Sequence, residues 1–184
     1  MPDLPLGLSG PLYTLDGVSP KVAADAFVAP SAAVIGDVEI GALSGIWFHC
    51  VLRGDTNFIR IGARTNIQDG TIIHVNAGQY PTIIGDDVTV GHAAIIHACT
   101  LKDRAFVGMG ATVLDGAVIE AGGMLAAGAL LTPNKRIGPN ELWQGSPAKL
   151  WRVMDAEERA KFDRTAAHYV ELAQRFRNGL GARG

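Results

Sequence analysis

Aliphatic residues recur every six positions along most of this chain. Val22, Val28, Val34, Ile40, Ile46 and Leu52 form the first run. It resumes at Ile61, Ile67 and Ile73, and again at Ile84, Val90 and Ile96. After one five-residue step it continues through Leu101, Val107, Val113, Ile119, Leu125 and Leu131. Four residues beyond each stands a small or β-branched residue, from Ala26, Ala32 and Val38 through Thr56, Ala77 and Thr100 to Ala129. Only Lys135 breaks that rule. A large and a small inward residue alternating at this period, with Gly and Asp between, is the hexapeptide pattern of a β-helix. Chance periodicity in an Ala/Val-rich chain does not account for so many matches. Six residues make one face and three faces make one coil, so the ladder predicts an all-β solenoid of about six coils over residues 22–135.

The interruptions predict the rest. Leu52 to Ile61 spans nine residues and Ile73 to Ile84 eleven, which implies insertions of about three and about five residues, the second within residues 75–81. Insertions in a solenoid protrude and often border a binding face. Past Leu131 the period fails, and Pro133, Pro139 and Pro147 predict an irregular connector from residue 136. Asp155 and Glu158 read as a capping box. Phe162, Ala166, Tyr169, Ala173 and Phe176 then predict a helix over about residues 155–178, packed along the solenoid. The chain is thus one domain: an N-terminal segment (1–21), the β-helix (22–135), and a connector with its helix (136–184).

Composition fits that picture. Glycine supplies 23 of 184 residues, nearly twice the usual share of roughly 7%. Such a share argues against a helical bundle and suits a fold made of turns. Charged residues are 18% and the net charge is −2, so no basic excess points to nucleic acid. No stretch has the apolar length of a membrane span, and no leader is evident. Cys50 and Cys99 do not make a disulfide framework, and a cytoplasmic protein with reduced thiols is expected. Cys50 reads as core, Cys99 as a structural residue at a turn.

Registering the coils brings polar residues together. On the face headed by Val34, Leu52, Ile73, Ile96, Val113 and Leu131, the next residues are Ile35, Arg53, His74, His97, Leu114 and Thr132. His74 and His97 therefore stack on adjacent coils about 4.8 Å apart. An outward pair at that spacing can share a metal ion. His92 belongs to the preceding face, with Asp69 beneath it and Gln68 one residue earlier. Side chains on two faces diverge, so His92 is expected to complete the site from a neighbouring subunit, and three chains about a threefold axis would close.

Residues 46–55 (IWFHCVLRGD), 66–70 (NIQDG), the histidines 74, 92 and 97, and residues 145–149 (GSPAK) together resemble the gamma-class carbonic anhydrases and their homologues. The similarity runs over roughly residues 15–175. It implies a left-handed β-helix, although the crossover rule alone favours right-handed winding. It also implies a homotrimer with zinc, or ferrous iron or cobalt, held by His74 and His97 of one chain and His92 of the next. By that resemblance, Arg53 pairs with Asp69 across the interface and Asp55 helps orient it. Gln68, supported by Asn66, hydrogen-bonds a metal-bound hydroxide that attacks carbon dioxide to give bicarbonate.

The chain departs from the active prototype at the proton-transfer groups. Residues 75–81 (VNAGQYP) hold no carboxylate and Thr56 follows Asp55. His49, His168 and Tyr169 are the remaining titratable neighbours, and Tyr169 also lies in the apolar stripe. Hexapeptide solenoids also resemble acyltransferases. Acyl transfer, thioester hydrolysis and a non-catalytic assembly role are therefore the alternatives to carbon dioxide hydration.

Overall fold

The computed structural model describes residues 10–181. The first nine residues of the expected N-terminal segment lie outside the described residues. Short strands joined by bends wind into a parallel solenoid of about 7 turns, one more than the aliphatic ladder predicts. The additional length lies at both ends. Leu12–Tyr13 pairs with Ala33–Ile40 ahead of the first expected repeat.

The connector expected from residue 136 is instead ordered β structure. Ile137, six residues past Leu131, is fully buried and pairs with Ile119. Trp143, six further on, pairs with Leu125. Pro133 and Pro139 occupy the turns between strands, where a missing N–H breaks no ladder bond. Pro147 sits in the turn between Glu141–Gly145 and Ala148–Val153, an antiparallel hairpin at the end of the stack.

One face is an eight-stranded sheet that includes Phe27–Val28, Gly45–Ile46, Asn66–Ile67 and Thr89–Val90. The other two faces merge into twelve strands, because Ala33–Ile40 and Val51–Ile61 run round a corner without a break. The predicted stack Val34, Leu52, Ile73, Ile96, Val113 and Leu131 is paired coil to coil, and all six side chains are inaccessible to solvent.

The inward small residues follow the period except at its irregular steps. Thr56 and Ala77 fall in the insertions and are exposed. Ile59 and Thr82 take up the register instead, pairing with each other, and both are fully buried. At the five-residue step Cys99, not Thr100, is the inward residue, so Cys99 is core rather than part of a turn.

One corner explains several glycines. Asp86 accepts the Ala63 N–H at 2.8 Å, and Asp103 accepts the Asp86 N–H at 3.0 Å. A Cβ at Gly62 would strike the Asp86 carboxylate, and one at Gly85 the Asp103 carboxylate. Each carboxylate thus bridges two coils only because the residue before the turn has no side chain.

The helix Ala156–Gly179 covers the eight-stranded face. Asp155 caps it, accepting the Glu158 N–H at 2.8 Å, while the Glu158 carboxylate pairs with Arg152 rather than closing the box. Its apolar stripe lies as the spacing predicts. Ala166 and Ala173 are buried. Phe162 meets Phe106, Tyr169 meets Trp47, and Phe176 meets Phe27 and Trp47, all with ring centroids 5.2–6.0 Å apart. The helix therefore runs back down the coils, and its aromatic cluster is the main apolar seal on that face.

Candidate metal centre

His74 ends the strand Ile72–His74 and His97 ends Ile95–His97. The two strands pair in register, His97 opposite His74. Both imidazoles are half-buried, and His74 Nδ1 lies 3.2 Å from His97 Nε2. Each ring's other nitrogen meets a carboxylate. Asp55 Oδ1 is 3.0 Å from His74 Nε2, and Asp115 Oδ1 is 2.5 Å from His97 Nδ1.

Both carboxylates come under control of the insertions. Asp55 lies in the first insertion, beside Arg53, with which it forms an ion pair. Asp115 is gripped by Asn76 of the second, whose Nδ2 donates to Oδ2 at 2.6 Å. That loop closes on itself through an Asn76 N–H to Tyr80 C=O bond of 3.0 Å. Extra residues free the backbone from the ladder, so side chains there can turn back onto a neighbouring coil.

The electrostatics follow from those contacts. Partial burial opposes ionisation of Asp55, but the His74 hydrogen bond and the Arg53 charge outweigh it and hold its carboxyl below the usual Asp range. Partial burial likewise opposes ionisation of Asp115, and the hydrogen bonds from Asn76 and His97 overcome it. Burial pushes the Cys50 thiol up to about 12 and raises Cys99 as well, so neither supplies a thiolate ligand at neutral pH.

His92 sits apart from the pair. Its Nδ1 lies 3.0 Å from Asp69 Oδ2, and Asp69 Oδ1 accepts the Phe48 N–H at 3.3 Å. Beside it, Gln68 donates its amide to Asn66 Oδ1 at 3.0 Å, and Asn66 donates to Thr89 Oγ1 at 2.9 Å. Gln68 and Asn66 are 5% and 2% exposed, so this amide chain is fixed. Burial and the Asp69 charge raise the Tyr169 hydroxyl nearby.

The sequence-selected residues thus form two groups. Arg53, Asp55, His74 and His97 make one; Asn66, Gln68, Asp69 and His92 make the other. Within the chain, Arg53 pairs with Asp55 and Asp69 pairs with His92. Asp115 and Asn76 escape sequence reasoning. Asp115 is followed by Gly116 and reads as one more turn residue, and nothing in residues 75–81 distinguishes Asn76.

Among the described residues, no three His, Cys, Asp or Glu side chains converge on one point. Two do, and their donor chemistry suits a divalent cation. Two nitrogens on one tetrahedral zinc-type ion stand about 3.3 Å apart, at Zn–N lengths of roughly 2.0–2.1 Å. The pair here shows that spacing, each ring backed by a carboxylate as in histidines that bind metal.

Fold and paired histidines together define a left-handed β-helix protein of the hexapeptide-repeat class. A solved hexapeptide transferase family protein from Anaplasma phagocytophilum superposes with a TM-score of 0.85 at 49% identity, over 89% of this chain and 96% of that one. The chain is 43% identical over 166 residues to a carbonic anhydrase of Geobacillus kaustophilus, covering 90% of this chain and 91% of the relative. It is 55% identical over 161 residues to the mitochondrial gamma carbonic anhydrase 2 of Arabidopsis thaliana, covering 85% of this chain but only 58% of the plant protein. No family model matches the chain. The chain belongs to the gamma-class carbonic anhydrase-like family.

Proposed function

We propose that this chain is a metal-dependent enzyme of the gamma carbonic anhydrase type, hydrating carbon dioxide reversibly at sites shared between three copies. The observation that carries this reading is the imidazole pair, 3.2 Å between facing nitrogens with a carboxylate behind each ring. His74 and His97 would hold the cation from one chain and His92 from the next. Zinc is the first choice; ferrous iron and cobalt are the others. The cation supplies, when bound, a water acidic enough to lose a proton near neutral pH.

The chain's own groups do the rest. Asp69 meets His92 at Nδ1, and among the described residues nothing hydrogen-bonds Nε2, the nitrogen that would serve as the ligand. Asn66 fixes the Gln68 amide, whose carbonyl oxygen accepts no hydrogen bond among the described residues and is available to orient water. Arg53 and Asp55 brace His74. Ile72 and Ile95 flank the pair in register, 47% and 43% exposed, an apolar surface suited to burial against a second copy. Each hydration releases one proton, and residues 75–81 offer no carboxylate to carry it, so the rate is expected to rise with buffer concentration. No helix among the described residues is long and apolar enough to cross a membrane, and a cytoplasmic site of action belongs to the same proposal.

One observation favours a second reading. A cleft of about 400 Å³ lies under the helix, lined by Gln68, His92, Phe106, Met109, Met124 and Tyr169. It is far larger than carbon dioxide needs and mostly apolar, which suits a thioester or ester with a short acyl chain. Stopped-flow hydration on protein loaded with zinc, and with iron under anaerobic conditions, decides between them against a thioesterase screen. Hydration no faster than buffer with every metal would overturn the first reading.

A further inference from the structure

Which nitrogen of an imidazole is available to a cation depends on where its proton sits. His97 offers Nε2 towards His74 only if the proton is on Nδ1. Asp115 Oδ1 lies 2.5 Å from that Nδ1, and Asn76 Nδ2 lies 2.6 Å from Oδ2. Both carboxylate oxygens are therefore used as acceptors, one from each partner. Were the His97 proton on Nε2 instead, a bare Nδ1 would face the Asp115 oxygen at 2.5 Å, two lone pairs in contact. His74 is constrained in the same way by Asp55, at 3.0 Å from Nε2.

The consequence lies between the rings. With both protons held on the outer nitrogens, His74 Nδ1 and His97 Nε2 turn lone pairs toward each other at 3.2 Å. Neutral rings in that state repel, and a positive charge in the gap, whether a metal cation or a proton bonded to one nitrogen and shared with the other, relieves it. The outer carboxylates therefore store a preference for a positive charge in the gap. His92 has no equivalent partner ring, and its single carboxylate contact carries no such preference.

We propose that Asp115 is a positioning residue for His97, holding its proton on Nδ1, and that Asn76 extends this hold to the insertion loop. The inference rests on the reading of His74 and His97 as cation ligands. It goes beyond it in assigning a role to two residues outside the ligand set. Because residues 75–81 reach Asp115 through Asn76, the loop and the imidazole pair form one mechanical unit. Cation binding should then steady the loop.

The test has two readouts besides activity. Long-range ¹⁵N–¹H spectra of the metal-free protein report the tautomer of each of its five histidines. Wild type is expected to show His97 protonated on Nδ1, and Asp115→Ala a shift of that proton towards Nε2. Cobalt titration followed by absorbance is expected to show affinity lower by about 10–100-fold in Asp115→Ala. Asp115→Asn, which keeps an acceptor without charge, should fall between it and wild type. Asn76→Ala should keep the wild-type tautomer, weaken cobalt a few-fold, and lose the cation's protection of amides 75–81 in hydrogen exchange. A wild-type His97 protonated on Nε2 overturns the proposal. So does a folded Asp115→Ala protein with wild-type tautomer and cobalt affinity. If wild type itself takes up no cobalt, the functional reading fails, and the tautomer spectra still decide whether Asp115 positions His97.

Discussion

On the face bearing Ile72–His74 and Ile95–His97, two imidazoles meet within one chain, each held from behind by a carboxylate that an insertion helps to place. On the eight-stranded face, His92 stands alone with Asp69, half-exposed, beside a buried Gln68–Asn66 pair. The first arrangement is the one proposed to hold a cation. The second is proposed to deliver one further ligand and an oriented amide. In the proposed reading, the two half-sites complement each other between copies. Their separation makes the comparison testable, because each half should fail in its own way.

The largest effect comes from breaking each half and then mixing. His97→Ala and His92→Ala are each expected to reduce carbon dioxide hydration to the buffer rate. Unfolded and refolded together in equal amounts, they should recover about a quarter of wild-type activity. Three quarters of random trimers are mixed, and each mixed trimer retains one intact interface of three. Steady-state hydration of the mixture checks this, and no recovery would mean that His92 serves its own chain. Gln68→Leu comes next. It removes the oriented amide but no ligand, so hydration should fall by about 10–100-fold with metal content unchanged by elemental analysis.

The proximity of the two histidines is legible in the sequence because each directly follows a ladder residue, Ile73 or Ile96. Once the residues of the 75–81 insertion are set aside, counting faces from Ile73 to Ile96 places His74 opposite His97. Three things hide the remainder. The insertions break the count, so the reach of Asp55 and Asn76 back onto the coils is not predictable from spacing. Asp115 looks like any Asp-Gly turn, because turns and carboxylate partners use the same residue. Prolines at 133 and 139 read as breakers although a solenoid places them where no ladder bond is lost, and so Ile137 and Trp143 are overlooked as further repeats. The lesson is local: a period predicts what lies on it, and function here draws on residues just off it.

A smaller effect separates the halves by acidity. In the folded chain the Asp55 and Asp115 carboxyls are held below the usual range. Folding then favours their ionised forms. That stability is complete above the unfolded Asp pKa of roughly 3.9 and is lost as pH falls through the lower folded values. Thermal unfolding of metal-free protein from pH 6 down to 3 should show a steeper loss in wild type than in Asp115→Asn. Equal slopes would mean that Asp115 gains nothing from its contacts with His97 and Asn76.

The smallest effect concerns only the eight-stranded face. Asp155 caps the helix through the Glu158 N–H, and the helix holds Tyr169 against Trp47 beside the Gln68 and His92 group. Asp155→Ala leaves that N–H without its partner and should cost about 1 kcal/mol. For a domain of this size that is a fall of roughly 2–4 °C in the unfolding midpoint. The loosened helix touches one half-site and not the other. Hydrogen exchange should therefore quicken along the helix and leave the His74 and His97 strands unchanged. Those strands are held by their own ladder bonds and by buried Ile73 and Ile96, none of which depends on the helix. Faster exchange at both faces would show that the two halves share stability after all.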